Sequence, residues 1–190
     1  VSDGSSPFQS INLPGPSISN WGFQYFFPFD DKVYFPAQTP DTGMEPWVSD
    51  GTSSGTHRMA DYYAGADGST PTPVTVFNNQ LLWTAKDRQY GNELRYLVTG
   101  TNELNLFTDM TTATESSYTE HIFPTGTSVF MTADDGLHGT EMWEYHTQTG
   151  DASLIDIFSG VGSSNPNDYI RFGDYLMFSC IDSTYQFWSR

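Results

Sequence analysis

A chain of 190 residues with 37% hydrophobic and 16% aromatic content can bury a sizeable core. Seven Lys and Arg against 23 Asp and Glu give a net charge of −16, which repels phosphate backbones and excludes nucleic acid as a partner. A mean hydropathy of −0.44, with no apolar run of about 18 residues, excludes a membrane span. So acidic a surface suits a solvated extracellular or high-salt setting or one that collects cations, although simple solubility is the plainer account.

The chain opens on Val1-Ser2-Asp3-Gly4, the middle of a motif that recurs below, and closes on Trp188-Ser189-Arg190, just short of the same point. It therefore reads as a mature fragment or an excerpt of a longer repeat chain. An apolar stretch with Asn12 follows the opening, then the Pro/Ser-rich connector Pro14–Ser19 and a strand ending at Phe29. Next come Asp30-Asp31, a pair that tolerates the positive φ of a two-residue hairpin loop, and the strand Val33–Ala37. A loop with Gly43 leads into Met44–Thr56, MEPWVSDGTSSGT. An Asx strand at Asp61 and the connector Ala64–Pro73 complete the unit.

The series then repeats. A strand ends at Phe77, Asn78-Asn79 make the turn, Leu81–Ala85 is the next strand, and Gly91 precedes Asn92–Thr101 and Asp109. In the third unit Thr125-Gly126-Thr127-Ser128 replaces the Asx turn, with Gly126 expected to supply the same backbone freedom. Val129–Ala133, the loop Asp134–Gly139, Thr140–Gly150 and Asp156 follow. After the connector Ser159–Pro166 come Phe172-Gly173-Asp174-Tyr175, Leu176–Cys180 and Tyr185–Arg190. The intervals are nearly constant: Glu45 to Glu93 and Glu93 to Glu141 are each 48 positions, Glu141 to Gln186 is 45 in a shortened last repeat, and Ala37, Ala85, Ala133 and Cys180 lie 48, 48 and 47 apart. A fixed period in this range marks a repeat architecture.

Short β-branched and aromatic runs between Gly, Asp and Asn clusters, with no helical periodicity, predict an all-β fold. The expectation is a β-propeller of four repeats of about 48 residues, each a four-stranded antiparallel meander. The repeat units fall near 1–47, 48–95, 96–143 and 144–190 of one domain. The strands ending at Phe29, Phe77 and Phe172 would be innermost, and the Asx strands outermost with Asn12, Asp61, Asp109 and Asp156 in equivalent places. The last unit lacks a fourth strand and the first residues lack a beginning, so Val1–Leu13 pairing with the C-terminal strands would close the ring. The same pairing between chains would produce self-assembly.

The motifs MEPWVSDGTSSGT and TEMWEYHTQTGDASLIDIF, with the connector SGVGSSNP, resemble the ELWxxDGTxxGT or hyalin-like repeats of large secreted and cell-surface proteins. NELRYLVTGTNELNLFTDM departs further, with Arg95 at the Trp place. The resemblance implies a β-propeller-like unit in an extracellular structural or adhesive protein, and it brings no catalytic residues.

The chemistry on offer is sparse. The one cysteine, Cys180, sits in a small-residue slot and excludes an internal disulfide framework. His57, His121, His138 and His146 match no zinc spacing. Asp134, Asp135 and Glu141 are the candidate calcium ligands, since calcium takes loop carboxylates, although Asp before Gly is also ordinary turn chemistry. Trp21, Tyr62 and Tyr63 lie off the best-paired strand positions and are the candidate ligand-binding surface. Thr70-Pro71-Thr72-Pro73 offers hydroxyls for O-linked sugar in a secreted chain. No Gly-x-Ser-x-Gly elbow is present. The expected function is a non-catalytic extracellular structural or adhesive module that binds other protein subunits or surface glycans. The alternative is a carbohydrate-active propeller, either a glycan-binding module or a glycoside hydrolase with paired carboxylates.

Overall fold

The computed structural model describes residues 26–98, 100–111, 115–182 and 184–189, with those from 182 onward described by their backbone alone. It is all-β: fifteen strands and, among the described residues, no helix. Accordingly no helix there is long and apolar enough to cross a membrane. The strands form four sheets in which each strand is bonded to its neighbour in sequence. The first holds β1 (Phe27–Phe29), β2 (Lys32–Thr39), β3 (Gly43–Ser49) and β4 (His57–Arg58). The second holds β5 (Thr72–Phe77), β6 (Gln80–Asp87), β7 (Gly91–Leu97) and β8 (Leu104–Leu106). The third holds β9 (Glu120–Pro124), β10 (Ser128–Asp134), β11 (Thr140–His146) and β12 (Asp151–Ile155). The last has three strands, β13 (Asn167–Phe172), β14 (Tyr175–Asp182) and β15 (Thr184–Ser189).

Each expected hairpin forms, and its register follows from the turn. Asp30-Asp31 and Asn78-Asn79 hold φ of 49° and 58°, and of 47° and 59°. Two consecutive left-handed residues match the right-handed twist of the flanking strands. Phe29 therefore pairs with Lys32, and Phe77 with Gln80. The third turn is built differently. Gly126 is not left-handed; instead Thr125 Oγ1 accepts the Ser128 N–H at 3.0 Å and donates to the Ser128 carbonyl at 2.9 Å.

The pairing of the first strand with the second in the second, third and fourth sheets carries a register irregularity, at Pro73/Thr75, Phe130/Thr132 and Asn167/Ile170. Such a bulge bends the strand and increases its twist. A further correction concerns the recurring Asx. Asp61, Asp109 and Asp156 stand just beyond β4, β8 and β12 in exposed backbone, equivalent to one another but outside the strands. Asn12, Trp21 and the proposed pairing of Val1–Leu13 with the last sheet lie outside the described residues.

By contacts the chain divides into two compact units, one of Val1–Asp87 with Arg95–Asn105 and the other of Arg88–Leu94 with Leu106–Arg190. In the first, Tyr34 and Val48 of the first sheet meet Leu81, Trp83, Leu97 and Leu104 of the second in one core. Tyr34 sets its edge against the face of Trp83, with centroids 6.3 Å apart at 80°. In the second unit, Phe130 and Met142 pack with Leu176, Phe178 and Cys180. Cys180 is buried among them as a small apolar residue. Middle strands are buried on both faces, as in β10, whereas the first strand of the last sheet, β13, remains largely exposed.

Candidate functional site

The feature repeated most faithfully is a buried carboxylate. Glu45, Glu93 and Glu141, on β3, β7 and β11, are each 0% exposed. An ionised carboxylate removed from water is costly unless donors replace its hydration. Each finds them in the connector that follows. Glu45 Oε1 accepts the Ser69 N–H at 3.0 Å and Oε2 the Ser69 hydroxyl at 2.6 Å. Glu93 is held in the same way by Ser117 at 2.7 and 2.5 Å, and Glu141 by Ser164 at 2.8 and 2.6 Å. Ser69, Ser117 and Ser164 are themselves 0% exposed.

A third donor explains the recurring Asx. The residue after it turns its N–H onto the glutamate: Tyr62 to Glu45 at 3.2 Å, and Ile157 to Glu141 at 2.9 Å. The Met110 N–H does the same for Glu93. The chain has left the sheet by Asp61, Asp109 and Asp156, and the amide after each is committed to the carboxylate. From the serine the link continues. The carbonyls of Ser69, Ser117 and Ser164 accept the N–H groups of Lys86, Asp134 and Ile181 at 2.9, 2.9 and 2.7 Å. Those three residues follow Ala85, Ala133 and Cys180 on the second strand of the next repeat. Each glutamate thereby ties the third strand of its own sheet, through the connector, to the sheet that follows.

The glycine two residues before each acid makes room for this clamp. Gly43, Gly91 and Gly139 have φ of 64°, 70° and 71°. A Cβ there would collide with connector backbone at Ala66, Glu115 and Gly162 respectively.

Burial pushes the Glu45 carboxyl up, against the pull of its Ser69, Tyr63 and Tyr62 donors. It pushes Glu93 up to about 7, with the nearby charge of Asp109 adding to the effect. At the Trp place of the second repeat, Arg95 is 4% exposed and answers the missing indole with an ion pair to the half-buried Asp87. Its Nη2 lies 2.6 Å from Asp87 Oδ2 and its Nε donates to the Ala85 carbonyl at 3.1 Å. Trp47, its counterpart in the first repeat, is 3% exposed and packs with Phe35 and Ala37.

The three candidate calcium ligands each have hydrogen-bond partners within the protein. Glu141 is engaged in its clamp, whereas Asp134 Oδ1 accepts the Gly136 N–H at 2.7 Å. Asp135 Oδ1 accepts the Leu137 and His138 N–H groups at 2.9 and 2.8 Å, and its Oδ2 lies 2.7 Å from His138 Nδ1. Burial alone would raise the Asp135 carboxyl, but these bonds hold it below its ordinary value. The same bond raises the His138 imidazole. Among the described residues no group of three or more His, Cys, Asp or Glu side chains could hold a metal ion.

Tyr62 is half-buried against the first core. Its hydroxyl donates to the Asn102 carbonyl at 2.9 Å and accepts the Leu104 N–H at 2.6 Å. Burial pushes that phenol up to about 12. Tyr63 lies under Lys86, with Nζ 4.5 Å from the ring centroid. Both tyrosines thus serve the fold where the structure places them, and their backbone N–H groups both reach Glu45.

What sequence reasoning missed is the serine. Ser69, Ser117 and Ser164 recur at 48 and 47 positions inside connectors whose composition looks generic, and that interval was the available signal. No family model matches the chain, and no curated protein sequence matches it.

Proposed function

We propose that the protein is a non-catalytic extracellular structural or adhesive module, a β-propeller whose four sheets are its blades, mediating protein or surface interactions. The observation that carries this reading is the fate of the recurrent acids. Glu45, Glu93 and Glu141 are buried and saturated with donors from the same connector positions. Residues that repeat serve architecture here, which leaves loops and turns, where the repeats differ, to meet partners. The charge of −16 supports a solvated extracellular setting, and the last sheet, with three strands among the described residues, has room at its edge for a further strand from this chain or another copy.

The test pairs two measurements on the purified chain. Immobilised protein is assayed for retention of cells and matrix proteins, and soluble protein for hydrolysis of chromogenic glycosides. Retention without turnover is the expected result, whereas turnover by protein of verified purity would overturn the non-catalytic reading. Chelator at matched ionic strength addresses calcium: a lowered melting temperature would assign a bound ion, and an unchanged one leaves Asp134 and Asp135 as turn residues.

A further inference from the structure

The third and fourth sheets leave an open cleft of about 330 Å³ between their hairpin ends. Its lining includes Phe123, Thr127, Ser128, Glu144, Arg171 and Tyr175. Two charged residues of this lining stand where earlier repeats have valine. Glu144 stands where the first repeat has Val48, which is 1% exposed in the core with Leu81 and Trp83. Arg171, one residue before its hairpin phenylalanine, stands where the second repeat has Val76. The cleft opens at the one turn in which Thr125-Gly126-Thr127 replaces an Asp or Asn pair.

A carboxylate at a core position needs a reason. Glu144 is 8% exposed, yet it faces polar groups: Oε1 accepts the Ser128 hydroxyl at 2.8 Å and lies 3.7 Å from His146 Nδ1. Ser128 is 6% exposed, so this pair forms a firmly held polar floor. At the mouth the Arg171 Nε donates to the Gly173 carbonyl at 3.1 Å, which fixes the guanidinium beside the turn. Tyr175 is 59% exposed and presents an aromatic face there. An apolar platform with a few oriented donors and acceptors is the composition of a small-ligand site, and this volume lies at the small end of such sites.

From these observations we infer that the cleft is a glycan-binding subsite, taking one or two pyranose units of a neutral saccharide. A pyranose has an apolar C–H face and a rim of hydroxyls that both donate and accept. Tyr175 and Phe123 suit the face. Glu144 accepts from hydroxyls, Arg171 donates to them, and Ser128 and Thr127 do either. Glu144 and Asp174 against the single Arg171 leave the lining with one excess negative charge, which disfavours an anion and leaves a neutral ligand with partners of both signs. This deepens the adhesive reading and rests on it only in placing the protein where glycans are.

The test is ligand-observed NMR on the full chain. The probes are the methyl glycosides of glucose, galactose, mannose and N-acetylglucosamine, with glycine and inorganic phosphate as charged comparators. At least one glycoside is expected to bind with a Kd in the millimolar range. Tyr175→Ala and Glu144→Gln should each weaken it tenfold or more, while Phe172→Ala, an exposed aromatic on the same hairpin but outside the cleft lining, should leave it unchanged. Because Tyr175 is exposed, its variant should keep the wild-type melting temperature and so separates binding from folding. No glycoside binding, binding that survives Tyr175→Ala, or binding of glycine or phosphate alone would overturn the assignment. Matrix retention without glycoside binding would sink the subsite and spare the adhesive reading; glycoside binding without retention would do the reverse.

Discussion

Replacing Glu141 tests the clamp most directly. In Glu141→Ala the Ser164 N–H and O–H lose their acceptor at a place that is 0% exposed, and the Ile157 N–H loses its partner at a half-buried one. A buried donor left unsatisfied costs about 1–3 kcal/mol, and solvent entering the space left by the side chain offsets part of this. The expected loss is about 3–5 kcal/mol, a large share of the stability of an ordinary domain. Glu141→Gln keeps the shape but turns an NH₂ toward either the Ser164 N–H or the Ile157 N–H, so donor meets donor, at about 1–3 kcal/mol. Ser164→Ala removes one hydrogen bond to a charged group, worth about 1.5–3 kcal/mol.

The assay is equilibrium urea unfolding followed by tryptophan fluorescence, with Glu103→Ala on the exposed surface as the control. If the clamp is one unit, the Glu141/Ser164 double mutant is less destabilised than the two single losses combined, with a coupling of about 1.5 kcal/mol or more. Additivity to within about 0.5 kcal/mol, or a cost below about 1 kcal/mol for Glu141→Ala, would refute the reasoning.

Three further outcomes follow from the same geometry. Because the Glu93 carboxyl is raised to about 7 in the folded chain, the native state holds its proton where the unfolded state has lost it; this contribution is full below the ordinary glutamate range and lost as pH rises through about 7. Urea unfolding at constant salt should show stability falling by up to about 3 kcal/mol between pH 5 and pH 8, and Glu93→Gln should flatten the profile. Gly91→Ala should cost more than about 2 kcal/mol, since it combines a left-handed φ with a collision at Glu115, whereas Gly100→Ala, equally left-handed but in open space, should cost only about 1 kcal/mol; equal costs in urea would dismiss the close approach. Asp87→Ala should destabilise by about 3–5 kcal/mol by stranding the buried Arg95 guanidinium, and the double change Asp87→Ala with Arg95→Leu should recover much of that in the same measurement.

The repeat and its hairpins were legible because their signals are local. A left-handed turn needs Asn, Asp or Gly, and a strand favours β-branched and aromatic side chains, so Asn78-Asn79 followed by Leu81–Ala85 announces itself. The clamp was illegible because it joins Glu45 to Ser69, a separation of 24 residues, and serine has no local signature for the role. The Asx residues show how pattern misleads. Apolar neighbours at Leu154-Ile155-Asp156-Ile157 look like an alternating strand, yet the sheet ends at Ile155 and the Ile157 amide turns to Glu141. At Glu141 the sequence shows the charge and not the donors that face it in the fold. Gly126 was read as a left-handed turn residue, but the side chain of Thr125 closes that turn without it.

The clamps also bear on how the chain would yield to tension. Between Glu45 and Ser69, and again between Glu93 and Ser117, 24 residues of chain are closed into a loop by a few short hydrogen bonds. A pull applied to the two ends would load those bonds along the direction of extension, and their rupture would release each loop at once. At roughly 3.4 Å per residue a loop pays out about 80 Å of length. Stretching would then proceed in like-sized steps, one for each clamp, so that a shock is absorbed by successive ruptures instead of one collapse.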